Sequence, residues 1–243
     1  MQQCPQQQVD GVLLVDKAKD FTSHDVVAVA RRAFNTKKIG HCGTLDPMAT
    51  GLLILVLGRA TKMQDLLMAE DKEYAATMLL GVETDSQDAD GEVVAERPSD
   101  GVTHEAVRAA FERYRGSFDQ IPPMVSAIKK NGVPLYKMAR QGKTVEREPR
   151  SVRVDGYELT RIELPEVDFT VRCSKGFYVR TYAHDIGREL GCGAHLTALR
   201  RTRSGLFSAE GAVKVDALKN APRGELLKSL LTIEDIARLR GVA

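Results

Sequence analysis

Six consecutive aliphatic residues, Leu52 to Leu57, stand directly behind the segment Gly40–Gly51, which carries three glycines and one proline. An uninterrupted apolar run bounded by turn formers reads as a buried strand, so the rest of the chain has to be built around it. The glycines and Pro47 let backbone come close to a ligand and fix the chain around one carboxylate, Asp46. Catalytic groups commonly sit on loops held by a rigid scaffold, which makes Asp46 the leading candidate. An isolated Asp-Pro pair is more often an ordinary turn, so the neighbouring sequence has to decide.

At 243 residues and 43% hydrophobic content, the chain is long enough to bury a full core. No apolar run approaches the roughly 20 residues that span a bilayer, and the start, Met1 to Gln6, lacks the basic and apolar regions of a signal peptide. A globular protein of the cytoplasm, with no membrane partner, is expected. Cys4, Cys42, Cys173 and Cys192 form no Cys-x-x-Cys pair, which argues for reduced thiols and against a structural zinc site. Net charge is only +2, but the basic residues are bunched, as at Arg31-Arg32, Lys37-Lys38 and Lys129-Lys130. Bunching permits a polyanion-binding face without requiring one.

Along the chain, Gly11 to Val15 reads as a strand, Thr22-Ser23 as the cap of a helix, and Ala60 to Met68 as another helix. Tyr74 to Leu80 alternates as a strand. Asp85 to Gly91 is a polar turn that lacks the first and twelfth ligands of a calcium loop. Val107, Ala110, Phe111 and Tyr114 fall on one face of a helix that begins after Thr103. The segment from Phe118 to Arg150 has broken periodicity, and is expected to be an irregular, mobile insertion. Val167 to Cys173 followed by Phe177 to Arg180 reads as a β-hairpin turning at Ser174-Lys175-Gly176. A helix ending at Gly191 follows. With no regular βαβ repeat, these elements point to an α+β fold with a mixed, largely antiparallel central sheet.

Five histidines show no metal spacing, and neither a phosphate loop nor a nucleophile elbow is present. No metal and no nucleotide or other cofactor is expected. What remains is Asp46 with an aromatic and an arginine partner to be found.

Several separated blocks supply them: Lys17 with Phe21-Thr22-Ser23, Gly40 to Leu53, Lys72-Glu73-Tyr74, Asp88 to Gly91, Gln120 to Lys130, Gly176 to Arg180, and Leu199 to Gly205. In this order and spacing they resemble the bacterial tRNA pseudouridine-55 synthases of the TruB family. The resemblance implies a pseudouridine synthase fold in a single catalytic domain over residues 1–243, with an RNA-clamping insertion at about 118–150. Members commonly continue into an RNA-binding PUA-type domain, which is expected to be absent here. It also implies the reaction: a uridine at position 55 in the TΨC loop of tRNA is flipped out, its glycosidic bond is broken, and C5 is joined to the ribose. The expected partner is the TΨC stem-loop, bound by a monomer.

By the same resemblance Asp46 is the essential carboxylate, acting towards the sugar, or towards C6 of the base in an older scheme. Arg180 pairs with it, orienting the carboxylate and favouring its ionised form. Tyr74 stacks on the target base and helps remove the C5 proton. His41 fills the void left by the flipped base, while Tyr178, Leu199, Asp88 and Lys17 line the substrate site. Taken without the resemblance, Tyr74, Tyr178 and Leu199 would read as core residues and Asp88 as a solvated turn acid. Two other readings compete. A tRNA-binding or tRNA-folding module would keep the fold without the chemistry, and a hydrolase of glycosidic bonds would need a second carboxylate near Asp46.

Overall fold

Alternating burial along Gly11–Lys17 makes β1, and Thr22 then starts α1 (Ser23–Ala33) through a capping box with Asp25. The computed structural model describes residues 9–241, so Cys4 and the first residues of the chain lie outside the described part. By compactness the chain divides into two units, residues 1–70 with 201–243, and residues 71–200.

In the first unit α1 leads to β2 (Ile39–His41) and β3 (Thr50–Leu57), which is followed by a 3₁₀ turn over Gly58–Met63 and a short helix α2 (Gln64–Met68). The single helix expected over Ala60 to Met68 is therefore split, its first half tightened to 3₁₀. β1 runs antiparallel to β3, with Gly11 opposite Leu57 and Lys17 opposite Gly51, and β2 pairs antiparallel with β3. Every residue from Leu52 to Leu57 is fully buried. Leu52, Ile54 and Val56 pack with Val12, Leu67, Phe207 and Ile236 on one face. Leu53, Leu55 and Leu57 therefore face the other side. Each buried aliphatic side chain of this kind contributes about 1.5–3 kcal/mol, so this strand is the unit's main source of cohesion.

The second unit begins with β4 (Lys72–Leu80) and continues through a small hairpin, β5 (Val82–Thr84) with β6 (Val93–Glu96). Thr103 caps α3 (His104–Arg113), which buries Val107, Ala110 and Phe111 as its spacing implies. Next come β7 (Gly116–Gln120), two residue pairs forming β8 (Lys129–Lys130) and β9 (Val133–Pro134), and a single-turn helix α4 (Leu135–Ala139). β10 (Arg150–Glu163) pairs with β7 on one edge and with β11 (Glu166–Cys173) on the other, and β11 pairs with β4. The irregular stretch thus spans residues 121–149, because Phe118 to Gln120 and Arg150 form its paired base.

One sequence expectation fails here. Phe177 to Arg180 is not the return strand of a hairpin: Tyr178 is the N-cap of α5 (Val179–Glu189). The hairpin partner of β11 is β10, whose alternation is weakened by bulges near Gly156 and Arg161. The chain then enters β12 (Ala194–Ser204), which begins in the second unit and ends in the first. It closes with β13 (Phe207–Ser208), β14 (Val213–Lys214) and three short helices, α6 (Val215–Asn220), α7 (Arg223–Lys228) and α8 (Ile233–Leu239). β14 adds to β1 in parallel, against antiparallel pairing of β1, β2, β4, β7, β10 and β11 with their partners above. The fold is α+β with a mixed, largely antiparallel sheet.

Aromatic rings fasten α5 inside the second unit. Tyr182 meets Phe111, Phe169 and Phe177 at centroid distances of 5.5, 5.9 and 5.3 Å, mostly edge to face. Its hydroxyl is buried without a hydrogen-bond partner among the described residues. Two substitutions at this cluster should therefore differ in sign. Phe111→Ala should cost about 3–5 kcal/mol in urea unfolding. Tyr182→Phe should leave stability unchanged or raise it, because it deletes only the unpaired group. A large loss from Tyr182→Phe would mean that the hydroxyl has a partner.

Candidate active site

Lys17, His41 and Asp46 belong to the first unit, and Tyr74, Asp88, Tyr178, Arg180 and Leu199 to the second. Asp46 is half-buried on the loop between β2 and β3. Gly43 (φ 91°) and Gly51 (φ 96°) take the left-handed backbone that lets the chain leave one strand and enter the next. Between them Asp46 to Ala49 forms a β-turn, Ala49 N–H donating to the Asp46 carbonyl at 3.1 Å, with Pro47 in the position that suits its ring. The ordinary Asp-Pro turn and the candidate catalytic loop are one structure.

Side chains from elsewhere in the unit pin this loop at three points. The buried Ser23 hydroxyl accepts from Leu45 N–H at 2.8 Å and lies 3.2 Å from the Leu45 carbonyl. Arg201, also buried, donates Nε to the Leu52 carbonyl at 2.7 Å and Nη2 to the Gly43 carbonyl at 3.1 Å. Lys17 is completely buried, and its Nζ donates to the carbonyls of Phe21 (2.6 Å), Ala18 (2.9 Å) and Pro47 (3.2 Å). Its three protons are all directed at backbone, so it shapes the loop and presents no ammonium to a ligand. Burial pushes its pKa down to about 8, with Asp46 the largest of the charges that oppose the shift. Sequence reading missed the parts played by Ser23 and Arg201, since nothing in a serine or arginine says which carbonyl it will meet.

His41 ends β2, and its ring stands edge-on to that of exposed His24, 5.3 Å apart at 79°. Its Nδ1 is buried without a partner among the described residues. Burial, then the nearby charges of His24 and Arg201, push the imidazole down to about 4. At neutral pH it is an uncharged ring.

In the second unit Arg180 is 2% exposed, on the first turn of α5. Nη1 donates to the Ser86 carbonyl at 2.5 Å, Nη2 to the Val125 carbonyl at 2.7 Å, and Nε lies 3.5 Å from Asp88 Oδ2. Asp88 is itself 4% exposed, accepts at Oδ1 from the Ser86 hydroxyl, and receives Asp90 N–H at 3.1 Å. It is no solvated turn acid: the turn from Asp85 to Gly91 wraps the arginine. Tyr178 is fixed through its backbone by buried Gln120, whose amide oxygen accepts from Tyr178 N–H at 2.8 Å. Tyr74 stands on the buried face of β4 opposite Val171, and Leu199 is buried on β12.

Comparison with known proteins gives this arrangement a context. The family described as TruB family pseudouridylate synthase (N terminal domain) matches residues 31–179, and the tRNA pseudouridylate synthase B C-terminal domain matches residues 180–237. The tRNA pseudouridine synthase B of Opitutus terrae is 55% identical over 233 residues, covering 96% of this chain and 97% of that protein. The same-named protein of Syntrophotalea carbinolica is 50% identical, covering 91% of this chain and 74% of its own length. Among solved structures, a chain of a Cbf5-Nop10-Gar1 complex superposes with a TM-score of 0.71 at 31% identity over 94% of this chain. This chain spans 62% of the length of that one.

The depressed imidazole gives a testable pH dependence. Because the folded value lies below the ordinary 6.5, the unfolded chain binds the proton first on acidification. His41 thus contributes a loss of stability as pH falls from about 6.5 towards 4. His41→Gln should lose less stability than the wild type across that interval, read from urea midpoints. Parallel curves would show that the imidazole titrates normally.

Proposed function

The chain belongs to the TruB family of pseudouridylate synthases and is a tRNA pseudouridine synthase, an isomerase, and we propose that its target is the uridine at position 55 in the TΨC loop of tRNA. Isomerisation exchanges one bond for another. The bond from N1 to the ribose C1′ breaks, the uracil turns, C5 bonds to C1′, the C5 proton leaves, and N1 takes up a proton. Nothing is oxidised, so side chains alone suffice for the chemistry.

In this reading Asp46 supplies the carboxylate that acts on the flipped nucleotide, and the observation that carries it is the pinned loop. A nucleophile or base works only if it is held where the reacting atom arrives, and Ser23, Lys17 and Arg201 hold the backbone on both sides of Asp46. Tyr74 offers a ring face for stacking and a phenol for the C5 proton. Arg180 supplies a buried, permanently charged guanidinium. The uncharged His41 ring suits stacking within an RNA loop. Tyr178, Leu199 and Asp88 belong to the substrate site, Asp88 through its hold on Arg180. Lys17 acts on the catalytic loop.

The segment within 118–150 has the chemistry of an RNA clamp, with Lys129, Lys130, Lys137, Arg140 and Lys143 all exposed. The protein works as a monomer in the cytoplasm, and no helix among the described residues is long and apolar enough to cross a membrane.

The test uses tRNA transcript labelled with tritium at uridine C5. The wild type should release about one tritium per tRNA, mapped to the TΨC loop. Asp46→Asn, which keeps shape and removes charge, should slow release by at least about 10³-fold while binding tRNA normally. Release by the variant at the wild-type rate would remove Asp46 from the chemistry. Tight binding without release by the wild type would favour a tRNA-folding module.

A further inference from the structure

Gln120, the last residue of β7, is 1% exposed and gives both ends of its amide to one residue 58 positions away. Oε1 accepts from Tyr178 N–H at 2.8 Å, and Nε2 donates to the Tyr178 carbonyl at 3.1 Å. The side chain thereby stands in for the backbone of a neighbouring strand. Tyr178 is the N-cap of α5 with φ −110° and ψ 107°, and no side chain caps the helix there. Its carbonyl also accepts from Tyr182 N–H at 3.0 Å, the first bond of the helix. Gln120 therefore fixes the residue from which α5 departs, and Arg180 follows two positions later.

The same glutamine is the root of the irregular segment. Its backbone is paired with Arg150, so residues 121–149 leave and return at this point. That segment itself reaches Arg180, through the Val125 carbonyl on Nη2. The helix start and the guanidinium tip are both tied to one stretch of chain, by a side chain at its base and a carbonyl five residues on.

From this we infer that Gln120 is a positioning residue for the isomerisation, setting the placement of Arg180 and making it depend on how segment 121–149 is seated. The inference rests on the reading of Arg180 as a group that acts in the reaction. The residue type follows from the geometry. Only an amide offers a donor and an acceptor side by side at neutral pH. A carboxylate would face the Tyr178 carbonyl with no proton to give, asparagine is one methylene short, and methionine fills the space with neither group.

Gln120→Met, Gln120→Glu and Arg180→Lys, singly and with Gln120→Met and Arg180→Lys combined, are compared by single-turnover tritium release, tRNA Kd and Tm. Rates are normalised to the concentration of tRNA-binding sites. Gln120→Met should lower the rate constant by about 10²-fold, the usual effect of a misplaced group, with Kd changed less than about threefold. Most of that loss should vanish in the Arg180→Lys background, because residues acting through one another are not additive. Gln120→Glu keeps the volume and the acceptor, so it tests the same point even if Gln120→Met does not fold. An unchanged rate in Gln120→Glu or Gln120→Met, or the same loss with and without Arg180→Lys, overturns the inference. An inactive wild type, or an Arg180→Lys enzyme as fast as wild type, overturns instead the functional reading beneath it.

Discussion

Buried cations that donate to backbone carbonyls hold the Asp46 loop and the start of α5 in place. The loop from Cys42 to Ala49 lies outside the regular strand pairing, and loops of that kind are more mobile than the elements they connect. Lys17 and Arg201 enter from β1 and β12 and hold Pro47, Gly43 and the first residues of β3. Taking a charge out of water costs several kcal/mol, and a carbonyl offsets this less fully than a carboxylate would. The depressed pKa of Lys17 is that cost made visible. Such an arrangement is expensive for stability alone. It makes sense where the position of a neighbouring group matters more than the depth of the folding minimum.

Arg180 repeats the pattern in the second unit, with carbonyls of Ser86 and Val125 on its two terminal nitrogens and Asp88 beside Nε. Two separate segments contribute, the turn from Asp85 to Gly91 and the stretch carrying Val125, so the guanidinium is placed only when both are folded. The aromatic cluster around Tyr182 does the complementary work for the helix, holding its axis by apolar contact while polar contacts hold its tip. Apolar burial is large and unspecific in direction, whereas hydrogen bonds are small and directional. The site needs both.

Much of this was legible in the sequence where one residue and its local periodicity sufficed. Leu52 to Leu57 declared its strand, Thr22 and Thr103 declared their helices, and Gly43 and Gly51 marked where the Asp46 loop had to turn. The α+β class followed from those pieces. The failures lie where meaning depends on a distant partner. Phe177-Tyr178-Val179 has strong β propensity and sits after a turn, yet its backbone bonds to Gln120 and starts a helix, a tertiary override of local preference. The resemblance puts Lys17 in the substrate site, and nothing in a window of sequence reveals that its ammonium reaches the Pro47 carbonyl 30 positions away. By residue type alone Asp88 reads as a solvated turn acid, and its burial beside Arg180 likewise depends on a distant partner.

A reaction that neither gains nor loses electrons sets its own demand on such a structure. With the same base leaving and returning, an enzyme gains little from strong new bonds and much from keeping a detached uracil oriented while it turns. In the proposed reading that places the burden on the shape of each group: a fixed carboxylate, a buried guanidinium, and ring faces that are apolar and uncharged. In the reading proposed above, the neutral state of His41 fits this demand, since a cationic imidazole would attract phosphate oxygens where that reading has bases stack. The carbonyl-bound cations fit it too. A carboxylate partner for Lys17 or Arg201 would bring a further negative charge to this loop, whereas a carbonyl supplies the hydrogen bond without one.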